Sequence, residues 1–186
     1  PQEIIDRFGA EIVRLWVASV DYTEDVRLSE EILNRLADAY RRVRNTCRFM
    51  LGNLYDFSPD NPGVARGDLT ELDRWALHRT AELSAQLRDA YDSYSFHTVY
   101  HALHNFCVVD LSAVYLDVLK DRLYSEAPAG VARRSAQFAL FEIVRSLSRQ
   151  MAPVLSFLAD EVWRHLPSWK GKAESVFLSG AEDPIL

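Results

Sequence analysis

Only two cysteines, Cys47 and Cys107, occur in 186 residues. That is too few for a disulfide framework or a cysteine-rich zinc site, and both lie within apolar helical patterns, where a buried free thiol is the expected state. Glycine and proline are scarce as well, seven of each, which leaves little turn chemistry between long helices. No phosphate loop, G-x-G-x-x-G, G-x-S-x-G or H-E-x-x-H occurs, so no stretch announces nucleotide binding, acyl transfer or zinc hydrolysis. Asp160 and Glu161 are adjacent carboxylates, but neighbours on a helix point in different directions and share no site. No uninterrupted apolar run reaches the length of a bilayer span and no secretory signal opens the chain, so no membrane and a cytoplasmic location are expected. The sequence begins at Pro1, without methionine and directly on a helical pattern, as a piece cut from a longer protein would.

Against these absences stands a core-forming composition, 48% hydrophobic with 26% charged residues and a net charge of −6. It suits one large helical domain. The stretch from Ser29 to Leu54 organises the rest. Ile32, Leu33, Leu36, Tyr40, Val43, Cys47, Met50, Leu51 and Leu54 recur at three- and four-residue spacing and form one stripe of a long helix. Ser29 is placed to cap it, and Glu30 and Glu31 suit the positive end of its dipole. Opposite the stripe lie Arg41, Asn45 and Arg48, with Arg42 and Phe49 beside them. Between Arg35 and Arg48 there are five arginines and one aspartate. A basic helix in an acidic chain selects a phosphate-bearing partner, although a solvated arginine face is the plainer alternative.

Residues 1–20 read as two short helices broken at Gly9, with Pro1 in a first helical turn. Val26 and Leu28 are placed to form a short strand that pairs with a second one at Ser175 to Leu178. After a loop from Asp56 to Asp68, Asp68 and Glu71 resemble a capping box opening a second long helix. A third, with Ser95 as its cap, runs from Val99 towards Tyr124, and a fourth starts near Val131. Pro153 requires a kink or a new helix beginning on it. The fold class is therefore all-α: an antiparallel bundle of four to five long helices with a small N-terminal cap and a minor strand pair. Residues 1–28 form the cap and linking segment, and 29–186 the bundle.

Three further clusters carry candidate chemistry. His97, His101 and His104 share a helical face at i, i+4, i+7. That would admit a metal-binding four-helix protein, but ordinary surface histidines explain the pattern more simply. Lys120 and Arg122, followed by Tyr124, are secondary candidates for an RNA backbone and a stacked base, or simply cations answering a helix C-terminus. Arg133 and Arg134 stand near a helix start, where the dipole gives them no help, and face either carboxylates or a polyanion.

Six stretches occur in a familiar order: GAEIVRLWVASVDY (Gly9–Tyr22), YRRVRNTCRFMLGNL (Tyr40–Leu54), LDRWAL (Leu72–Leu77), YLDVLKDRLY (Tyr115–Tyr124), ARRSAQ (Ala132–Gln137) and MAPVLSFLADEVW (Met151–Trp163). Together they resemble the region after the catalytic domain of bacterial-type isoleucyl-tRNA synthetases, which are class I aminoacyl-tRNA synthetases. The resemblance implies a helix-bundle anticodon-binding domain, preceded by a stem-contacting segment, that docks isoleucine tRNA. It also implies a parent that uses ATP and Mg, carries zinc in a further module, and places its catalytic domain on the same chain. The family's HIGH and KMSKS signatures, its editing insertion and its cysteine-rich module are not in this sequence, so this region would hold no active site or cofactor. Arg41, Arg42 and Arg48 would then meet phosphates, Asn45 a ribose or base edge, and Phe49 a base. Arg44 would brace a neighbouring helix, and Trp75 belongs to the core. A purely structural bundle packed against another domain or partner protein is the rival reading.

Overall fold

The computed structural model describes residues 2–180. Pro1 lies outside them. Helices α1 (Gln2–Phe8) and α2 (Ala10–Ser19) are separated at Gly9, whose φ of 87° and ψ of 156° form a combination open essentially to glycine alone. Next comes α3 (Glu30–Gly52), where the Ser29 hydroxyl accepts the Ile32 N–H at 3.2 Å, as its sequence predicts. Helix α4 (Glu71–Asp92) is capped by Thr70, not Asp68: Thr70 Oγ accepts from the Asp73 N–H, and Arg66–Asp68 is a separate 3-10 turn. The capping motif thus lies two residues further on than expected, with Asp73 in the role assigned to Glu71.

The third long element is one continuous helix, Phe96–Ser125, made of α5 (Phe96–Asn105), a π-helical segment (Phe106–Tyr115) and α6 (Leu116–Ser125). Ser95 makes no capping hydrogen bond to it. With mean hydropathy 1.4 over its most apolar 18-residue window, this helix is long and apolar enough to cross a membrane, although no part of it is an uninterrupted apolar run of that length. Asp110 and Ser112 break the run without lowering the mean far enough. A core helix meets the same criterion, and here Val99, Leu103, Phe106, Cys107, Leu111, Tyr115 and Leu119 are buried inside the bundle.

Helix α7 (Val131–Met151) ends before Pro153, and α8 (Ser156–His165) begins three residues after that proline. The turn between them is held from α2. Arg14 donates to the carbonyls of Pro153 (2.8 Å) and Val154 (2.9 Å), while Glu11 accepts the Phe157 N–H at 3.0 Å, standing in for the cap that Leu155 cannot provide. Burial raises the Glu11 carboxyl above the usual carboxylate range, and the Phe157 N–H pulls it part of the way back.

Among the described residues there is no strand. Val26 and Leu28 lie exposed in irregular backbone, and Val176–Leu178 is a 3-10 turn. The alternation that suggested strands has no sheet face to bury. The fold is an all-α bundle in which successive long helices alternate in direction. The connector 53–70 crosses one end of the bundle, so α3 packs on the π segment and α7, and α4 packs on α5 and α7. The α1–α2 cap shares the same core through Ile12, Leu15 and Ala18.

One buried polar joint ties three helices together. Asp73, fully buried, receives both Arg122 guanidinium nitrogens (2.6 and 3.2 Å), the Tyr115 hydroxyl (2.8 Å), the Thr70 hydroxyl (2.7 Å) and the Ser135 hydroxyl. Burial and the Asp73 carboxylate together push the Tyr115 phenol well above its ordinary pKa.

Candidate nucleic-acid interface

The buried stripe of α3 turns Arg41, Asn45 and Arg48 outward, because each follows the last by three or four residues on the side opposite Val43, Cys47 and Met50. These three form a crest with a groove on each flank. On one side Arg42, Asn45, Thr46 and Phe49 face Val108, Ser112, Leu116, Asp117 and Lys120 across a groove of about 330 Å³. On the other, Arg44, Arg48, Leu51 and Gly52 face Leu158, Glu161, Val162 and His165 across one of about 360 Å³. The first groove thus brings together four residues singled out in sequence: Arg42, Asn45, Phe49 and Lys120. Arg48 lines the second, and Arg41 stays on the crest.

The wall facing Phe49 is the π segment. Ser112 Oγ donates to the Cys107 carbonyl five residues back (2.7 Å) and lies 3.0 Å from Thr46 Oγ, which itself donates to the Arg42 carbonyl at 2.9 Å. This chain of contacts fixes the groove's width. Sequence reading missed Val108 and Ser112, because a π register leaves no mark on apolar periodicity. The two thiols beneath the groove are free and fully buried, and burial pushes Cys47 up to about 12.

The electrostatics of the ridge separate the arginines. Arg41 pairs with Asp38 at 3.1 Å and Lys120 with Asp117 at 2.6 Å, both between exposed side chains, where such pairs are weak and exchangeable. Arg44 reaches Glu161 of α8 at 3.7 Å, the bracing contact its position suggests. Among the described residues Arg42 and Arg48 have no carboxylate within ion-pair distance. Two unpaired guanidiniums, one on each flank of the crest, are suited to phosphate oxygens.

The remaining candidates fall elsewhere. Arg122 does not face the groove: its guanidinium is spent on Asp73 and on the Ala132 carbonyl at 2.7 Å, so it is a structural cation. Arg133 and Arg134 are likewise taken by Asp56, at 2.7 and 3.5 Å, which settles them as carboxylate partners. His97 and His101 line a different groove, with Arg79, Glu82 and Asp110, while burial lowers the pKa of His104, which lies near Arg42. Among the described residues no group of three histidine, cysteine, aspartate or glutamate side chains is placed to hold a metal ion. Trp75 packs half-buried against the core, as its spacing suggests.

The chain is similar to known proteins over its whole length. Residues 73–184 match the family described as the anticodon-binding domain of tRNA ligase. A protein of Nitratidesulfovibrio vulgaris (strain Miyazaki F) named isoleucine–tRNA ligase is 56% identical, with 100% of this chain and 20% of that protein aligned. A protein of the same name from Symbiobacterium thermophilum is 55% identical over 92% of this chain and 18% of its own length. A third, from Desulfovibrio desulfuricans, is 57% identical over 95% and 19%. The chain therefore spans about a fifth of the length of the curated relatives it matches.

Proposed function

We propose, for a chain that belongs to the family of anticodon-binding domains of tRNA ligases, that the crest of α3 docks the anticodon stem-loop of an isoleucine tRNA. The observation that carries this reading is two guanidiniums with no carboxylate partner among the described residues, Arg42 beside Asn45 and Phe49 in one groove and Arg48 in the other, on one helix of a chain with net charge −6. Arg41, Arg42 and Arg48 neutralise phosphates, and Lys120 joins them once it leaves Asp117. Asn45 offers both a donor and an acceptor to a ribose or base edge, and Phe49 a partly open ring. The acidic remainder repels RNA elsewhere and so restricts how it can dock.

The names of the relatives support the tRNA's identity. In this reading the parent is a cytoplasmic isoleucine–tRNA ligase that joins isoleucine to its tRNA using ATP and Mg, with zinc in another module. Its catalytic domain lies on the same chain and is reached through residues 1–28. The present region contributes binding and placement, not bond chemistry.

Binding of an isoleucine-tRNA anticodon stem-loop across a salt series tests this. The unaltered chain should bind with an affinity that falls steeply with salt. Arg42→Ala/Arg48→Ala should bind more weakly, with a log–log salt slope shallower by roughly 1–2, about one per lost phosphate contact. An unchanged slope would show that these arginines do not meet phosphate, and no binding by the unaltered chain would leave the bundle as scaffolding.

A further inference from the structure

We infer that Tyr55 and Tyr124, at the end of the bundle where α3 and α6 stop, form a stacking platform for unpaired bases of the RNA loop whose stem lies on the α3 crest. The inference rests on the docking proposed above and adds the place where loop bases are held.

Tyr55 is 81% exposed and Tyr124 67% exposed, so both rings are open to a partner, and their place beside the proposed interface separates them from the other open rings, Tyr22, Tyr94, Phe157 and Phe177. Both follow directly from the proposed interface. Tyr55 follows the C-terminus of α3 by three residues, in the turn that leaves the crest. Tyr124 lies one turn beyond Lys120 on α6, and Lys120 lines the groove facing Arg42.

One buried cation sets the two tyrosines at the same end. The Arg133 guanidinium is centred 5.9 Å from the Tyr55 ring centroid, with Nη2 3.5 Å from the Tyr55 hydroxyl, and its Nε donates at 3.3 Å to the carbonyl of Leu123, the residue before Tyr124. Arg133 itself is only 4% exposed, fixed by both Asp56 oxygens (2.7 and 3.0 Å) and the Pro128 carbonyl (3.1 Å). The Tyr55 ring therefore has one contact with a buried, well-anchored cation near its hydroxyl end, and most of its surface is open to solvent. A nucleobase can stack on the open ring, since every base has a π-face.

The test uses the same stem-loop with 2-aminopurine placed at each loop position in turn. On binding, at least one position should show the fluorescence change of stacking. Tyr55→Ala and Tyr124→Ala should remove that change at specific positions and weaken binding roughly fivefold to a hundredfold. Their salt slope should match that of the unaltered chain, because no ionic contact is lost, and Tyr55→Phe should keep the signal. If the Tyr55→Ala/Tyr124→Ala double variant binds as well and with the same fluorescence, the platform is overturned and the α3 reading stands on its own. If the unaltered chain binds no stem-loop, both readings fall together.

Discussion

Asp73→Ala destabilises the bundle by about 3–5 kcal/mol, the range for breaking a buried ion pair by removing one partner. The carboxylate is fully enclosed and is the common acceptor for Arg122, Tyr115, Thr70 and Ser135. Taking it away leaves the Arg122 charge, largely buried, without a counter-ion, and removes an acceptor from three hydroxyls. Desolvation of these groups is then uncompensated. The loss should appear in urea unfolding as a lower midpoint with an unchanged m-value. Arg122→Ala should cost a comparable amount, since it strands Asp73 instead. Neither variant should act like the removal of a surface pair such as Arg41–Asp38, where solvent replaces the partner. A loss under about 1 kcal/mol for Asp73→Ala would mean that the joint is not closed as described.

Arg133→Ala should cost about 2–4 kcal/mol, somewhat less because its partner Asp56 is partly open to solvent. It removes the donor shared by Asp56, Leu123 and Pro128, and so loosens the junction of α3, α6 and α7. The cost carries a pH signature. The Arg133 hydrogen bonds hold Asp56 at about 2, below its ordinary 3.8. A carboxyl whose folded pKa is depressed stabilises the fold above its unfolded pKa and loses that contribution as pH falls through the folded value. The shift corresponds to about 2 kcal/mol at neutral pH. The stability gap between the unaltered chain and Arg133→Ala should therefore be flat above pH about 5 and narrow between about 4 and 2. A gap that stays constant through that window would contradict the assignment of Asp56 as the coupled group.

These two joints also mark where sequence reading stopped. Helix α3 was legible because its stripe, its Ser29 cap and its acidic first turn all agree, and local agreement of that kind survives tertiary packing. The shift from Asp68 to Thr70 followed from two capping motifs two residues apart, between which only the buried Asp73 decides. The π segment was invisible, since it depends on Ser112 meeting Thr46 across 66 residues. The same distance problem governs the cations. Nothing near Arg122 in sequence shows Asp73, 49 residues away, so it read as a surface cation. The basic face was found, but helical periodicity treats Arg41, Arg42, Asn45, Arg48 and Phe49 as one side, whereas the packed neighbours split it into a crest and two grooves. The apolar walls opposite α3, Val108 and Leu116 in one groove and Leu158 and Val162 in the other, come from the third long helix and α8, not from α3.

The central claim is that RNA docks on this crest, and the direct measurement is amide chemical-shift mapping during titration with the isoleucine-tRNA anticodon stem-loop. Perturbations should concentrate on α3 from Arg41 to Phe49, continue to Tyr55 and cross the groove to Val108, Ser112 and Lys120. Perturbations centred on the groove of His97, His101 and Arg79, or on the exposed faces of α4 and α7, would contradict it.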